Sequence, residues 1–531
     1  MKATVARTRV GSSFHSFIKA ALATATWLLV GSATPADAES RRDPGISAAG
    51  LEQTLRAQTD RLASAVQALE GAGAGRVDLV NTARDLAGKR EATLLALIEA
   101  APEVAVQNAM ASDQRDRLPV SVQQHVERTT TETGTLEVLA WLAEDGRIGY
   151  QRYLVVGEQR RRLAVERISE DYLTGTVLTV SGIVLGDWMA AANDGLIVRE
   201  QPQTATRGTV NSNGITVQTA LIININFSDM ATEPWTIDFA TNRFAQIATW
   251  YEEGSYNQFT LASDIAGWFT IAASSGSCAT TTFRNQGEEA ARAAGFEPNN
   301  YDHVVTVFPR VASCGFSGLA QVPGRYVWLN NTIAYGVATH ELGHNLGLAH
   351  SHSRNCSDGP LDGTCTVAEY GDRFDTMGYA GGGAHYHGSY RSYVGWIPAS
   401  DVMTVDSSVG EVVVALRPAE SSFGTRVLRV QRTGLDDYLN VETREAVGFD
   451  SVLATFPLVL TGVEVYLGAT LRNQSIVDVG YMTPSAGDAP LQFGDTLYDI
   501  EGDVSITALY DIDGERYVCV HYDLSTAGCS F

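Results

Sequence analysis

The sequence predicts a multidomain α+β protein. It places a mixed twisted sheet and a histidine-bearing helix at the centre, helical and small β modules before them, and a β-sandwich after them. Three observations support this. At 531 residues the chain is longer than one hydrophobic core ordinarily serves. Helical periodicity is concentrated near the N-terminus, and most of the rest reads as short strands with Gly- and Asp-rich turns. Between two β-rich stretches lies a helix-compatible segment, residues 331–350, dense in histidine.

The chain divides along its length as follows. Lys2, Arg7, Arg9 and Lys19 flank the apolar run AALATATWLLVGSA, and Ala36-Asp37-Ala38 follows as a small-x-small cleavage site. Residues 1–38 therefore read as a secretory signal peptide, with an extracellular or periplasmic mature protein. That run is short for a membrane span, and no other stretch has eighteen uninterrupted apolar residues, so no stable membrane insertion is expected. Residues 39–121 form a helical N-terminal region: LEQTLRAQTDRLASAVQALE has helical spacing, and a helical pair is expected to break at Gly71-Ala72-Gly73-Ala74-Gly75. Residues 122–200 read as a small β barrel or sandwich, with strand-like runs around the Glu144–Arg147 turn. The polar stretch QPQTATRGTVNSNG, 201–214, is a linker. Residues 39–200 are then either a propeptide or a retained accessory module. Residues 215–400 hold the strands VQTALIININFSD and YDHVVTVFP and the histidine segment, and 401–531 alternate as a β-sandwich would.

Six cysteines in an exported chain suggest disulfides. Sequence order suggests Cys278–Cys314, Cys356–Cys365 and Cys519–Cys529, one of about fifteen connectivities open to six cysteines. The formal charge is −23, and removal of the four basic and one acidic residues of 1–38 leaves −26. Such an excess argues against nucleic acid and anionic membrane surfaces as partners. Oligomeric state is not legible.

The sharpest motif is His340-Glu341-Leu342-Gly343-His344-Asn345-Leu346-Gly347-Leu348-Ala349-His350, which is H-E-x-x-H-x-x-G-x-x-H. His340 and His344 share one helix face a turn apart, so two imidazoles reach one ion. Gly347 tolerates a left-handed backbone, can end the helix, and lets His350 return as third ligand. Three protein ligands leave one position open, which is the pattern of a catalytic zinc site with one Zn2+ ion. Glu341 is placed to act as general base. Asp358, Asp362 and Asp372 are candidates for Ca2+, although their spacing matches no EF-hand loop. His352 is read as a bystander, and His385 and His387, in GGGAHYHG, as polar residues of a flexible loop.

Downstream, Asp375-Thr376-Met377-Gly378-Tyr379 resembles the Met-turn of the metzincin metalloproteases. The run Glu369-Tyr370-Gly371-Asp372-Arg373-Phe374-Asp375-Thr376-Met377-Gly378 resembles the gametolysin family more narrowly. Tyr256–Leu261, Gly267–Ile271, Gly395-Trp396 and Tyr438–Arg444 fit the same family. The resemblance is strong over about 215–400. It implies a metzincin-like catalytic domain, Met377 as the hydrophobic base beneath the ligands, and Tyr379 as a group touching the metal or an oxyanion. It also implies a substrate-binding edge strand around Leu319 and Ala320, which a peptide joins as an extra strand. Metzincin zymogens are often silenced by a propeptide cysteine, but no cysteine precedes Cys278, so latency here needs another group or steric cover.

The expected function is a secreted zinc endopeptidase acting on a protein or peptide substrate in extracellular or cell-wall proteins. Two other readings stay open: a non-catalytic binding or adhesion protein on a protease scaffold, and a zinc amidase acting on cell-wall peptide.

Overall fold

In the computed structural model the described residues are 47–70, 76–143, 147–202, 208–379, 381–480, 486–526 and 528–529. The expected signal peptide, the Gly71–Gly75 break and the tip of the Glu144–Arg147 turn lie outside them. Among the described residues no helix is long and apolar enough to cross a membrane.

Two long helices, α1 (Ala48–Glu70) and α2 (Arg76–Ala100), pack side by side, followed by short helices α3 (Pro102–Gln107), α4 (Ser112–Asp116) and α5 (Val120–Gln123). Leu55, Leu94, Leu97 and Ile98 pack on Ile183, Leu185 and Ala190 of the β module, so the helices are fastened to it by apolar burial. The module's strands are β1 (Arg128–Leu142), β2 (Ile148–Val156), β3 (Gln159–Ala164), β4 (Val177–Leu185), β5 (Trp188–Ala190) and β6 (Leu196–Glu200). The pairings β1–β2, β2–β3, β3–β5, β5–β4 and β4–β1 close a small barrel around Leu136, Leu154, Leu178, Val180 and Met189. β1 is too long for the barrel. Its first half, Arg128–Thr135, pairs with β4; Thr135–Leu142 pair with β2 on one edge, and Leu139–Leu142 pair with Gly318–Gln321 of the next sheet on the other.

That sheet continues through β7 (Thr209–Val210), β8 (Thr216–Phe227), β9 (Phe259–Ile271), β10 (His303–Phe308), β11 (Gly318–Gln321) and β12 (Tyr326–Asn330). Strands β9, β8, β10 and β12 lie parallel in that order, and β11 is antiparallel beside β12. Residues alternate between faces along each strand. Ala220 and Ile222 pack toward α6 (Ile237–Gly254) and α8 (Tyr335–Asn345) on one face. Leu221, Ile223 and Ile225 pack toward α7 (Thr280–Ala293) on the other. Strands buried on both faces explain the apolar-rich segment ALIININF, which only Asn224 and Asn226 interrupt. The twelve strands β1–β12 form one sheet, so the 201–214 segment marks no break in the architecture.

Nor is residue 400 a clean boundary. β13 (Ser351–Cys356) and β14 (Cys365–Ala368), directly after the third histidine, enter the sheet that also contains β15 (Val402–Val405), β17 (Val427–Gln431), β18 (Tyr438–Glu442), β19 (Gly462–Thr470), β20 (Asn473–Val477) and β21 (Leu491–Gln492). β13 pairs in parallel with β20 from Ser351↔Gln474 to Arg354↔Val477. A second sheet holds β16 (Glu411–Leu416), β22 (Thr496–Asp499), β23 (Val504–Ile512) and β24 (Glu515–Tyr522). The two sheets share one apolar core. Short helices α9 (Gly388–Tyr393) and α10 (Pro457–Thr461) complete the chain. The disulfides are Cys278–Cys314, Cys356–Cys365 and Cys519–Cys529, the pairing expected from sequence order.

A buried ionic network joins α9 to segments of the C-terminal region that flank β16 and β18. Asp450 pairs with Arg444 at 2.8 Å and Arg391 at 3.0 Å, and Glu420 pairs with Arg444 at 2.7 Å. Arg444 also donates to the Phe374 carbonyl at 3.2 Å, just before the predicted Met-turn. All these side chains are buried, so each charge depends on its partner. Arg444→Met would leave Asp450 and Glu420 with Arg391 as their one remaining cation and is expected to cost about 3–5 kcal/mol, read as a lowered denaturant midpoint. A loss below about 1 kcal/mol, the range of an exposed pair, would show that the network does not hold these segments together.

Candidate metal centre

α8 carries His340, Glu341 and His344. The helix stops where Gly347 takes φ +99°, a left-handed conformation costly for any other residue. Leu348 N–H donates to the Gly343 carbonyl at 3.0 Å and Gly347 N–H to the His344 carbonyl at 2.9 Å, the paired bonds of a Schellman ending. The chain reverses there, and His350 returns against the helix. One ligand atom from each of His340, His344 and His350 lies within 4.8 Å of the others. His344 Nε2 and His350 Nε2 stand 3.0 Å apart, close to what two nitrogens adopt on a shared ion with bonds of about 2.0–2.1 Å.

Neighbouring carbonyls orient two of the rings. His340 Nδ1 is 2.8 Å from the Thr376 carbonyl and His344 Nδ1 is 2.9 Å from the Leu348 carbonyl. A carbonyl only accepts, so each Nδ1 carries the proton and each Nε2 keeps its lone pair for a metal. The Tyr390 hydroxyl donates to the His350 carbonyl at 2.9 Å, and Tyr386 to the Thr339 carbonyl at 2.7 Å. Met377 is fully buried, and a Cβ at Gly343 would come within 2.6 Å of its sulfur, so the methionine lies directly against the helix.

All three imidazoles and Glu341 are fully buried. Burial pushes His340 down to about 4, and His344 and His350 well below their usual range, which favours the neutral ligand form. Burial pushes the Glu341 carboxyl well up. Neither Glu341 oxygen has a hydrogen-bond partner among the described residues. A buried, unpaired carboxylate beside three neutral imidazoles lacks only a cation, so the residues fit a divalent metal held by nitrogen ligands.

Other predicted residues lie elsewhere. Tyr379 is 46% exposed, and its ring faces the Arg373 guanidinium, not the imidazoles. Tyr370 takes the place expected for it: its hydroxyl is 3.1 Å from His340 Nε2, and its ring lies 5.3 Å from that of His350. In the sequence Tyr370 is marked only by its place in the family-like run Glu369–Gly378. A tyrosine so far from the histidines in sequence gives no spacing signal. Leu319 and Ala320 lie on β11, which is paired on both sides, with β12 and with β1, and so is not a free edge. Gly318 on that strand abuts the site: a Cβ there would fall 2.0 Å from Glu341 Oε1.

His352 turns away from the triad, with Nδ1 3.1 Å from the Glu369 carbonyl and Nε2 3.7 Å from Glu170. His385 and His387 are buried rather than loop-borne. His385 pairs with Glu253 at 3.1 Å, and His387 is stacked between Tyr390 and Tyr466 near Glu442. Asp372 accepts from Ser351 Oγ at 2.6 Å and from the Phe374 amide at 2.9 Å, which accounts for its two oxygens internally. Asp358 and Asp362 sit in the loop closed by Cys356–Cys365, where the Asp358 amide donates to the Asp362 carbonyl at 3.2 Å. Among the described residues the only other metal-like grouping, Glu411 with Cys519 and Cys529, contains a disulfide.

A buried histidine triad with an adjacent carboxylate defines a metallopeptidase-type site. Residues 235–453, about two-fifths of the chain, match the family described as Gametolysin peptidase M11, and this region is that of a gametolysin-like metalloprotease. No curated protein matches the chain. Among solved structures, one chain of a chaperone–substrate complex is similar at 14% identity, over 47% of this chain and 35% of that one, with a TM-score of 0.22. Archaemetzincin from Methanopyrus kandleri is similar at 17% identity, over 28% of this chain and 82% of its own, with a TM-score of 0.18. Superpositions this slight carry no weight for the fold.

Gly347→Ala would force a Cβ into the left-handed turn, 3.1 Å from the Tyr393 hydroxyl. The expected cost is about 1–3 kcal/mol, together with weaker metal binding, measured by thermal unfolding and by metal titration of the variant. Unchanged stability and affinity would show that the turn does not set the third ligand.

Proposed function

We propose that the protein is a secreted zinc endopeptidase of the metzincin class, hydrolysing peptide bonds in extracellular or cell-wall proteins. The observation that carries this reading is the convergence of His340, His344 and His350 on one point beside an unpartnered Glu341. The ion in this reading is zinc, held by the three Nε2-side imidazoles, because three histidines with an open position are a catalytic zinc set. The signal-like pattern of residues 1–38 in the sequence and the three disulfides support export. The paired C-terminal sheets are read as a β-sandwich that buttresses the site through the Arg391–Arg444–Asp450 network.

When bound, zinc supplies Lewis-acid polarisation of the scissile carbonyl and lowers the pKa of the attacking water. Glu341 accepts the proton of that water as it adds to the carbonyl carbon. The same carboxyl then delivers the proton to the amide nitrogen, so the C–N bond breaks to give a free amine and a carboxylate. Burial, and then the Glu341 charge, push the Tyr370 phenol well up, which keeps it a hydrogen-bond donor. From beside His340 it is placed to donate to the carbonyl oxygen as charge develops there. Thr376 and Leu348 carbonyls hold the ligand rings in the metal-binding tautomer. Met377 fills the space below the helix and excludes water from it.

Glu341→Gln is expected to retain one zinc per chain and lose nearly all cleavage of a protein substrate. Full proteolysis by that variant would reject the assignment. Tyr370→Phe should lower kcat by about 10²–10³ with zinc content unchanged, as for loss of one oxyanion donor, whereas Tyr379→Phe should leave kcat near wild type. If the two variants behave in the reverse order, the tyrosine assignment is wrong.

A further inference from the structure

The strand bordering the metal site is already occupied by the protein's own chain. β11 would be the last strand of the sheet β9-β8-β10-β12-β11 if the N-terminal module were absent. It lies against the site, with Gly318 beside the Glu341 carboxylate. An open strand in that position presents unpaired N–H and C=O groups to any extended peptide. Here that edge is filled by β1, antiparallel and in register: Leu139↔Gln321, Ala140↔Ala320, Trp141↔Leu319 and Leu142↔Gly318. Backbone bonds bracket the pairing, Val322 N–H to the Val138 carbonyl at 3.0 Å and Ser317 N–H to the Leu142 carbonyl at 2.6 Å.

The side chains complete the cover. Leu139 and Trp141 pack into the core that holds Leu319 and Trp328, while Val138 and Ala140 face the barrel core with Val322. Leu142 reaches the site itself and packs on Val337 and Tyr370. The hairpin partner β2 brings Tyr150 over the third ligand: its ring centroid is 5.2 Å from that of His350, and its hydroxyl accepts from the His350 amide at 3.4 Å. Behind the site, Arg472 donates to the Glu170 carbonyl at 2.8 Å and to Asp171 at 3.1 Å, tying the module to the C-terminal sheet.

We propose that the barrel module Arg128–Glu200 is a latency device that works by strand addition. Its β1 occupies the peptide-binding edge β11, and substrate binds only after β1 has left. This rests on the peptidase reading of the site. It needs no cysteine on the metal, in keeping with the absence of any cysteine before Cys278. It also resolves the choice between propeptide and accessory module: a module that kept β1 in place would keep polypeptide off the strand beside Glu341.

The test uses the full chain carrying a specific protease site in the 201–214 linker. A second version adds A140C and A320C, which face each other in register and lock β1 to β11 when oxidised. Activity on a quenched protein substrate and hydrogen exchange at Gly318–Gln321 are both followed. Cutting the linker should raise activity at least about tenfold and remove protection from the β11 amides. The oxidised lock should prevent both changes until mild reduction, with A140C and A320C alone as controls for the reductant. An uncut chain as active as the cut one, or a cut and locked chain that is fully active, would overturn the proposal. So would β11 amides that stay protected in a cut, active enzyme. Exchange in the cut Glu341→Gln chain reads strand release without self-cleavage. Freed β11 amides in the cut chain with Glu341 intact, but no peptide cleaved, would reject the peptidase reading alone and leave strand release standing.

Discussion

The Glu341 carboxylate is buried without a hydrogen-bond partner beside three buried, neutral imidazoles, and the surrounding structure is arranged to keep it so. An unpaired buried carboxylate is strongly unfavourable unless a cation shares its site. A glycine at 318 makes room for it, since any Cβ there would strike its oxygen. With a divalent ion beside it, the same side chain would be placed to act as the base that the proposed function requires. Among the described buried carboxylates, Glu341 is set apart by having no hydrogen-bond partner at either oxygen.

Those others show the contrast. Asp450 and Glu420 are matched by Arg391 and Arg444, and Asp375 and Asp372 accept bonds from backbone amides and a serine hydroxyl. These groups sit under the turn that carries Met377 and behind α9, which supplies Tyr390 to the His350 carbonyl. Helix α8 is thus packed against Met377 and Tyr386, and the Phe374 carbonyl just before Met377 is held by Arg444 of the buried charge network. The parallel junction of β13 with β20 begins one residue after His350, so the third ligand is fixed by the C-terminal region as well as by its own helix.

Much of the centre was legible in the sequence because it is local. Spacing alone brought His340, His344 and His350 together, and the left-handed Gly347 is where the motif put it. The disulfides followed chain order, since each joins segments close in sequence or on adjoining loops. What depended on tertiary pairing was not legible. Tyr370 reaches His340 only because the segment after β14 folds back over the helix, and nothing in its spacing distinguishes it from Tyr379. β11 has the pattern of an edge, but a strand's second neighbour is set by register with a distant segment, here residues 139–142. His385 and His387 sit among glycines that suggest a loop, yet their environment comes from Glu253, Glu442 and Tyr466, remote in sequence.

If His340, His344 and His350 hold one zinc ion through their Nε2 atoms, zinc X-ray absorption on the purified full chain will read that shell. One zinc per chain is expected, with three imidazole nitrogens at about 2.0–2.1 Å, no sulfur neighbour, and one imidazole fewer in His350→Ala. A sulfur-containing shell, or a shell unchanged by that substitution, would rule this ligand set out.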